Sequence, residues 1–254
     1  MNRTVQLGDS DVPRIGLGTN RLTSTGANQA FIRAAAGEGL RHIDTAHLYQ
    51  GGDSESAIGA AFGPDPDGVV VATKGGFRPG EGRPEVLRAQ IEESLQRLGT
   101  DAIALYYLHR VDPQVALEES LGAIKECQDA GKVRHIGISE VSVEQIERAQ
   151  AVAPIAAVQN HYNLSERKWD AVVDYCAGQG LVFVPYFPLH GRHPALARIA
   201  EAHGATETQI ALAWLLHRSP TTLPIPGTLS VAHVRENLAA LEIALSDEEY
   251  QALA

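Results

Sequence analysis

Short apolar runs alternate with amphipathic stretches from one end of this chain to the other. The runs Arg14 to Leu17, Arg41 to Ile43, Val69 to Thr73, Ile103 to Leu108, Val133 to Ile138, Ile155 to Val158, Leu181 to Pro185 and Thr222 to Ile225 have strand length. A strand followed by a helix and another strand makes parallel sheet, because the crossover returns the chain to the edge from which it started. About eight such units is the number at which a parallel sheet closes on itself. The chain is therefore expected to be an α/β protein, a (β/α)8 TIM barrel forming a single domain over residues 1–254 with short active-site loops. Its main competitor, a doubly wound sheet, would carry G-x-G-x-x-G after the first strand, whereas here Gly16 and Gly18 are followed by Arg21.

The stretches between the runs carry helix punctuation. Leu87, Ile91, Leu95 and Leu98 share one face between Pro84, which suits a first turn, and Gly99, which suits a stop. Asp112-Pro113 is expected to open a helix with a Leu117, Leu121, Ile124 stripe that ends before Gly131. Ser142 with Gln145 and Ser246 with Glu249 match the capping box. Two consecutive helices, about 194–203 and 206–217, are expected before the last strand, and a terminal helix after Ser246.

A formal net charge of -10 disfavours nucleic acid as a partner, since phosphate binding relies on clustered cations. The longest apolar runs are too short for a membrane span, and no leader-like apolar stretch follows Met1, so the setting is expected to be cytoplasmic. Cys127 and Cys176 lie far apart at apolar positions without metal-ligand spacing; they are expected to be buried packing thiols, and no metal site is expected.

Several of the runs end in a chemically capable side chain: Asp44, Lys74, His109, Ser139, Gln159 and Tyr186. In a closed barrel these ends converge on one mouth, the face on which barrel active sites lie. Tyrosine is a poor acid, with a reference pKa of about 10, but a neighbouring ammonium stabilises the phenolate. Tyr49 with Lys74 would form such a pair, Asp44 would hold the lysine, and a neutral His109 could orient a substrate oxygen. This set could protonate a carbonyl oxygen while an external carrier delivers hydride, which no side chain can supply.

The motifs that carry these residues resemble the aldo-keto reductase family over nearly the whole chain. HIDTAHLYQGGDSE at 42–55 is similar to the segment with the family's aspartate and tyrosine, VVVATKGG at 69–76 to its lysine strand, and LYYLHRVDP at 105–113 to its histidine strand. GKVRHIGIS, VQNHYNL, VPYFPL and IPGTLSVAHVRENLAA follow in family order. The IPGT and SVAH wording is similar to bacterial members of the pyridoxal-reductase type.

The resemblance implies NAD(P)H-dependent reduction of an aldehyde or ketone, with Tyr49 as general acid, Lys74 as its partner, Asp44 orienting Lys74, and His109 positioning substrate. It implies that Tyr186 stacks on nicotinamide and that Ser139 and Gln159 bond its carboxamide. Gly227 and Thr228 would form the phosphate turn, and Glu236 and Asn237 the adenine end. Gly18, Thr19, Asp44, Phe187, Pro188, Leu189, Pro226 and His233 complete the implied cofactor set.

Two departures bear on the cofactor. Glu140 stands where the family usually has an asparagine, and the lysine near Gly227 and arginine near His233 with which many members grip a 2′-phosphate are missing at those alignments. NADP(H) is the expected cofactor and NAD(H) the alternative, with Arg235 or Arg192 as substitute grips. The short stretches 109–113 and 189–194 imply an open mouth suited to a bulky carbonyl compound or completed by another subunit; His47, His190, Arg192 and His193 lie on segments able to approach it. The protein is expected to be a monomer or a weak homo-oligomer. Reverse alcohol oxidation, a redox-neutral elimination and a non-catalytic cofactor-sensing subunit are the competing readings.

Overall fold

In the computed structural model, which describes residues 2–64, 66 and 68–253, the chain begins with an antiparallel hairpin. Its strands β1 (Thr4–Leu7) and β2 (Ser10–Pro13) are joined by Gly8-Asp9, with Gly8 in the left-handed region at φ 65° that glycine adopts without steric cost. Seven strands then pair in parallel and in sequence order: β3 (Leu17–Gly18), β4 (His42–Asp44), β5 (Val70–Gly75), β6 (Ile103–Leu108), β7 (Val133–Ser139), β8 (Ile155–Gln159) and β9 (Val182–Phe183).

The eighth stave is the segment 222–227. Phe183 bridges to Thr222 and Gly18 to Gly227, closing the cylinder between β9 and β3. It forms bridges rather than a ladder because Pro224 and Pro226 have no N–H; their carbonyls only accept, from Gly16 and Gly18 at 2.9 and 3.3 Å. The expected strand at Thr222 to Ile225 is thus in place but is not a regular strand. The expected first strand, Arg14 to Leu17, is displaced towards the short β3.

Alternation along the strands sorts side chains into two sets. Val70, Ala72, Leu105, Tyr107, Ala157, Val182 and Val184 fill the barrel interior, and Leu7 and Val12 of the hairpin join them from below. The opposite parity, including Ile43, Val71, Tyr106, Ile136, Ile138, Val158 and Phe183, packs against the helices.

Ten helices accompany the strands among the described residues: α1 (Gly26–Gly37), α2 (Asp53–Phe62), α3 (Pro84–Leu98), α4 (Leu117–Asp129), α5 (Val143–Gln150), α6 (Asp170–Gln179), α7 (Ala195–His203), α8 (Glu207–Arg218), α9 (Val231–Ala239) and α10 (Asp247–Gln251). Capping boxes start α5 and α10 as expected, and a third, Thr206 with Gln209, starts α8. Asp112 does not open α4. Its carboxylate instead takes the N–H groups of Gly80, Gly82 and Gln114, which pins the loop after β5 to the loop after β6, and α4 begins at Leu117. Both cysteines are free and buried, and burial pushes the Cys176 thiol up to about 12. No helix among the described residues is long and apolar enough to cross a membrane.

Candidate active site

The inward rows of the barrel run upward into the chemistry. Lys74 continues the row Val70, Ala72; His109 continues Leu105, Tyr107; Gln159 follows Ala157; Tyr186 follows Val182, Val184. Period-two alternation therefore aims each strand-end residue at the same mouth, where a cavity of about 580 Å³ opens. That volume is of the size that binds small molecules and cofactors.

Lys74 and Asp44 form a fully buried ion pair at 2.5 Å on the cavity floor. The Lys74 ammonium also donates to the Thr45 carbonyl at 2.7 Å, and Gln159 Nε2 donates to the second Asp44 oxygen at 2.8 Å. Charges taken this far from water persist only when paired and hydrogen-bonded, and both conditions are met.

Tyr49 stands above this pair on a short turn, Tyr49–Gly52, that leaves β4 through left-handed backbone: Gln50 at φ 51°, Gly51 at 66° and Gly52 at 99°. Gln50, which has a Cβ to accommodate there, is tied by its side-chain amide to the Asn20 carbonyl at 2.9 Å. A Cβ at Gly52 would come within 2.6 Å of the Arg97 guanidinium. The Lys74 ammonium lies over the Tyr49 ring, 5.1 Å from its centre; among the described residues no hydrogen bond joins lysine and phenol.

His109 meets Tyr49 edge-on with ring centres 6.1 Å apart, and it packs on Phe77 at 4.8 Å. Burial holds the imidazole well below its ordinary range, and the nearby Lys74 and Arg110 charges push the same way, so the ring stays neutral. Its Nδ1 is buried without a partner in the described chain, a group left over for a ligand.

Of the residues named from sequence, Gly18, Thr19, Asp44, Tyr49, His109, Ser139, Gln159, Tyr186, Phe187, Pro188, Leu189, Pro226 and Gly227 line this cavity, with Lys74 directly beneath. Thr228, His233, Glu236 and Asn237 lie beyond it, along the turn into α9 and on that helix. Thr228 Oγ1 is 3.2 Å from His233 Nδ1, Glu236 accepts from Thr206 at 2.7 Å, and Asn237 is buried. Glu140 sits at φ 58° and turns its carboxylate to the His161 N–H at 2.6 Å, so this oxygen is spent on the chain.

Arg235 is engaged by Glu38 through two hydrogen bonds, whereas Arg192 is exposed. Of His47, His190 and His193, it is His190 that lines the cavity, stacked on Phe187 at 4.6 Å. His47 pairs with Glu93, and His193 accepts the Ala195 N–H at the start of α7.

Sequence reasoning missed Arg21, Phe77 and Arg110, which also line the cavity, and His161, whose ring stacks on Tyr186 at 5.2 Å. Burial pushes the Tyr186 phenol up to about 12. A signal for Arg110 was at hand, because it follows His109 directly at a strand end.

What the mouth presents, in an α/β barrel, is the Tyr49 phenol and a neutral imidazole over a buried cation. The family pattern "Aldo/keto reductase family" matches residues 14–194 and 192–254, and the chain belongs to that family. It is 37% identical to pyridoxine 4-dehydrogenase of Escherichia coli, with 97% of this chain and 96% of that protein covered. That alignment spans 273 positions, more than the 254 residues here, so the relative carries segments this chain lacks. Among solved structures, the thermostable aldo-keto reductase Tm1743 with the inhibitor epalrestat superposes with a TM-score of 0.90 at 34% identity, covering 98% of each chain. An aldo/keto reductase from Klebsiella pneumoniae in complex with NADP and acetate does so at 0.89 and 32%, covering 100% of this chain and 94% of that one.

Proposed function

We propose that the protein reduces an aldehyde or ketone to an alcohol with NADP(H), using Tyr49 as proton donor. The observation that carries this reading is the buried Asp44–Lys74 pair beneath Tyr49 and a neutral His109 at a cavity of ligand size. A bound nicotinamide supplies the hydride. Tyr49 passes its proton to the carbonyl oxygen, and the Lys74 charge stabilises the negative phenol oxygen left behind. Asp44 keeps Lys74 in place, and Gln159 keeps Asp44 in place. Neutral His109 hydrogen-bonds and orients the substrate oxygen.

For the cofactor, Tyr186 offers its ring to the nicotinamide, and Ser139 with the remaining Gln159 oxygen meets the carboxamide. Gly227, Thr228 and the first turn of α9 offer N–H groups to phosphate; Ser230 makes no side-chain cap bond there, which leaves that turn open to an anion. Arg21 donates to the Gly227 carbonyl at 3.4 Å and brings a positive charge to that end. Glu236 and Asn237 serve the adenine end. NADP rather than NAD is supported by the Klebsiella relative, which holds it. The same residues run the reverse oxidation, the direction after which the Escherichia coli relative is named.

The test follows NADPH absorbance with pyridoxal, 4-nitrobenzaldehyde and dicarbonyls, and repeats the series with NADH. Tyr49→Phe is expected to lose a hundredfold or more of turnover, on the order of general acid catalysis, with NADPH binding by fluorescence retained. Full turnover in that variant would overturn the reading.

A further inference from the structure

Charge at the mouth runs against charge in the whole chain. The chain carries a formal net -10, yet the carboxylate lining the cavity, Asp44, is spent on Lys74 and Gln159. Two guanidinium groups, Arg21 and Arg110, line the same cavity, and among the described residues neither has a carboxylate within 4.0 Å.

Arg110 is the one placed beside the reacting groups. Its Nη1 donates to the His109 carbonyl at 2.8 Å and to Ser139 Oγ at 3.2 Å, while Nη2 reaches the Tyr186 hydroxyl only at 3.4 Å. A guanidinium has five N–H donors, so this one keeps donors in reserve. Its central carbon lies 5.4 Å from the Phe77 ring centre and 5.8 Å from that of Tyr186, contacts that do not neutralise it. Glu140 influences the same Tyr186 hydroxyl, but one of its oxygens is taken by the His161 N–H and it does not pair with the guanidinium.

The His109 ring packs on the same Phe77 that Arg110 faces, so the subsite for the carbonyl oxygen and the unpaired cation flank one side chain.

We propose that Arg110 determines specificity and that the substrate is a carbonyl compound bearing a carboxylate, which the guanidinium grips while the carbonyl oxygen meets Tyr49 and His109. The planar fork matches a carboxylate through two parallel N–H···O bonds, and a single positive charge balances a single negative one, which a phosphate dianion would exceed. This assignment rests on the carbonyl-reductase reading above.

The experiment compares 4-carboxybenzaldehyde with 4-carbamoylbenzaldehyde, its neutral near-isostere, as substrates with NADPH. In the unmodified protein kcat/KM is expected to favour the carboxylate about tenfold or more, through KM, the scale of a charge-assisted hydrogen bond. In Arg110→Gln that ratio falls towards one whatever happens to the absolute rates, and Arg110→Lys, which keeps the charge without the fork, gives an intermediate ratio. A ratio near one in the unmodified protein, or one unchanged by Arg110→Gln, overturns the assignment. Should the variants fail to fold, the unmodified protein still decides: salt must raise KM for the carboxylate and leave the amide's alone, and equal responses overturn it. Turnover of the amide that depends on Tyr49 tests the underlying reading separately.

Discussion

Two arginines at opposite ends of the barrel show how differently one side chain can be used. Arg14 enters at the floor, 1% exposed, and donates to the carbonyls of Asn2, Leu216, Ser219 and Thr222. Burial pulls its pKa down to about 10, still far above neutrality, so it stays charged. Arg110, at the mouth, is only part-buried; it has one short bond, to the His109 carbonyl, and otherwise longer contacts and aromatic faces in place of a full set of acceptors. A cation with its donors matched is an architectural tie; one with donors in reserve awaits a ligand. The floor is consistent with this, since its interior is apolar and plugged by the hairpin, while the mouth gathers the ionisable groups.

The sharpest way to break the contrast is at the floor. Arg14→Met leaves four carbonyls short of a donor where β2 meets the closing segment, and is expected to cost at least about 4 kcal/mol. For a chain of this size that lowers Tm by roughly 10 °C, while turnover per folded molecule is retained. A variant that melts with the parent protein would remove Arg14 from the architecture.

At the mouth, Lys74→Met strands the buried Asp44 carboxylate and is expected to cost about 3 kcal/mol, with turnover lost. Replacing both partners, Lys74→Met with Asp44→Leu, should restore most of that stability and none of the activity, because an apolar pair no longer demands compensation. A double variant as unstable as the single one would make the pair architectural as well.

The smallest effect is a pH slope. His42 and His109 are both held below their ordinary range, chiefly by burial. Below the unfolded value of about 6.5 the unfolded chain takes up protons that the folded chain refuses, so stability falls as pH drops. Each group contributes at most about 1.4 kcal/mol per pH unit. His42→Gln should remove one share of that slope between pH 6.5 and 5, measured by urea unfolding; an unchanged slope would show that His42 does not contribute to it.

Much of the architecture was legible because it rests on periodicity. β6 begins and ends at Ile103 and Leu108 as read, and α3 runs from Pro84 to Leu98 as read, since proline, stripe and glycine all agree there. The hairpin was not read, although Gly8-Asp9 between Leu7 and Ser10 is a recognisable two-residue turn. Asp112-Pro113 misled because an aspartate that bonds loop N–H groups across space looks in sequence like a helix cap.

For the site, the strand-end rule found Lys74, His109, Gln159 and Tyr186, whose inward parity follows from alternation. It could not find what depends on contacts across the mouth: the Glu38 grip on Arg235, the stacking of His161 on Tyr186, or the lack, among the described residues, of a carboxylate paired with Arg110.

The prolines of the closing stave have one more effect. With no N–H at 224 or 226, that part of the wall receives bonds from β3 and returns none through those residues, yet Ile225, Pro226 and Gly227 are also the wall against which a cavity-filling molecule must lie. An occupant bridging this wall to the opposite one would add a rung where the prolines donate none, so that loading the barrel and tightening this joint would be the same event.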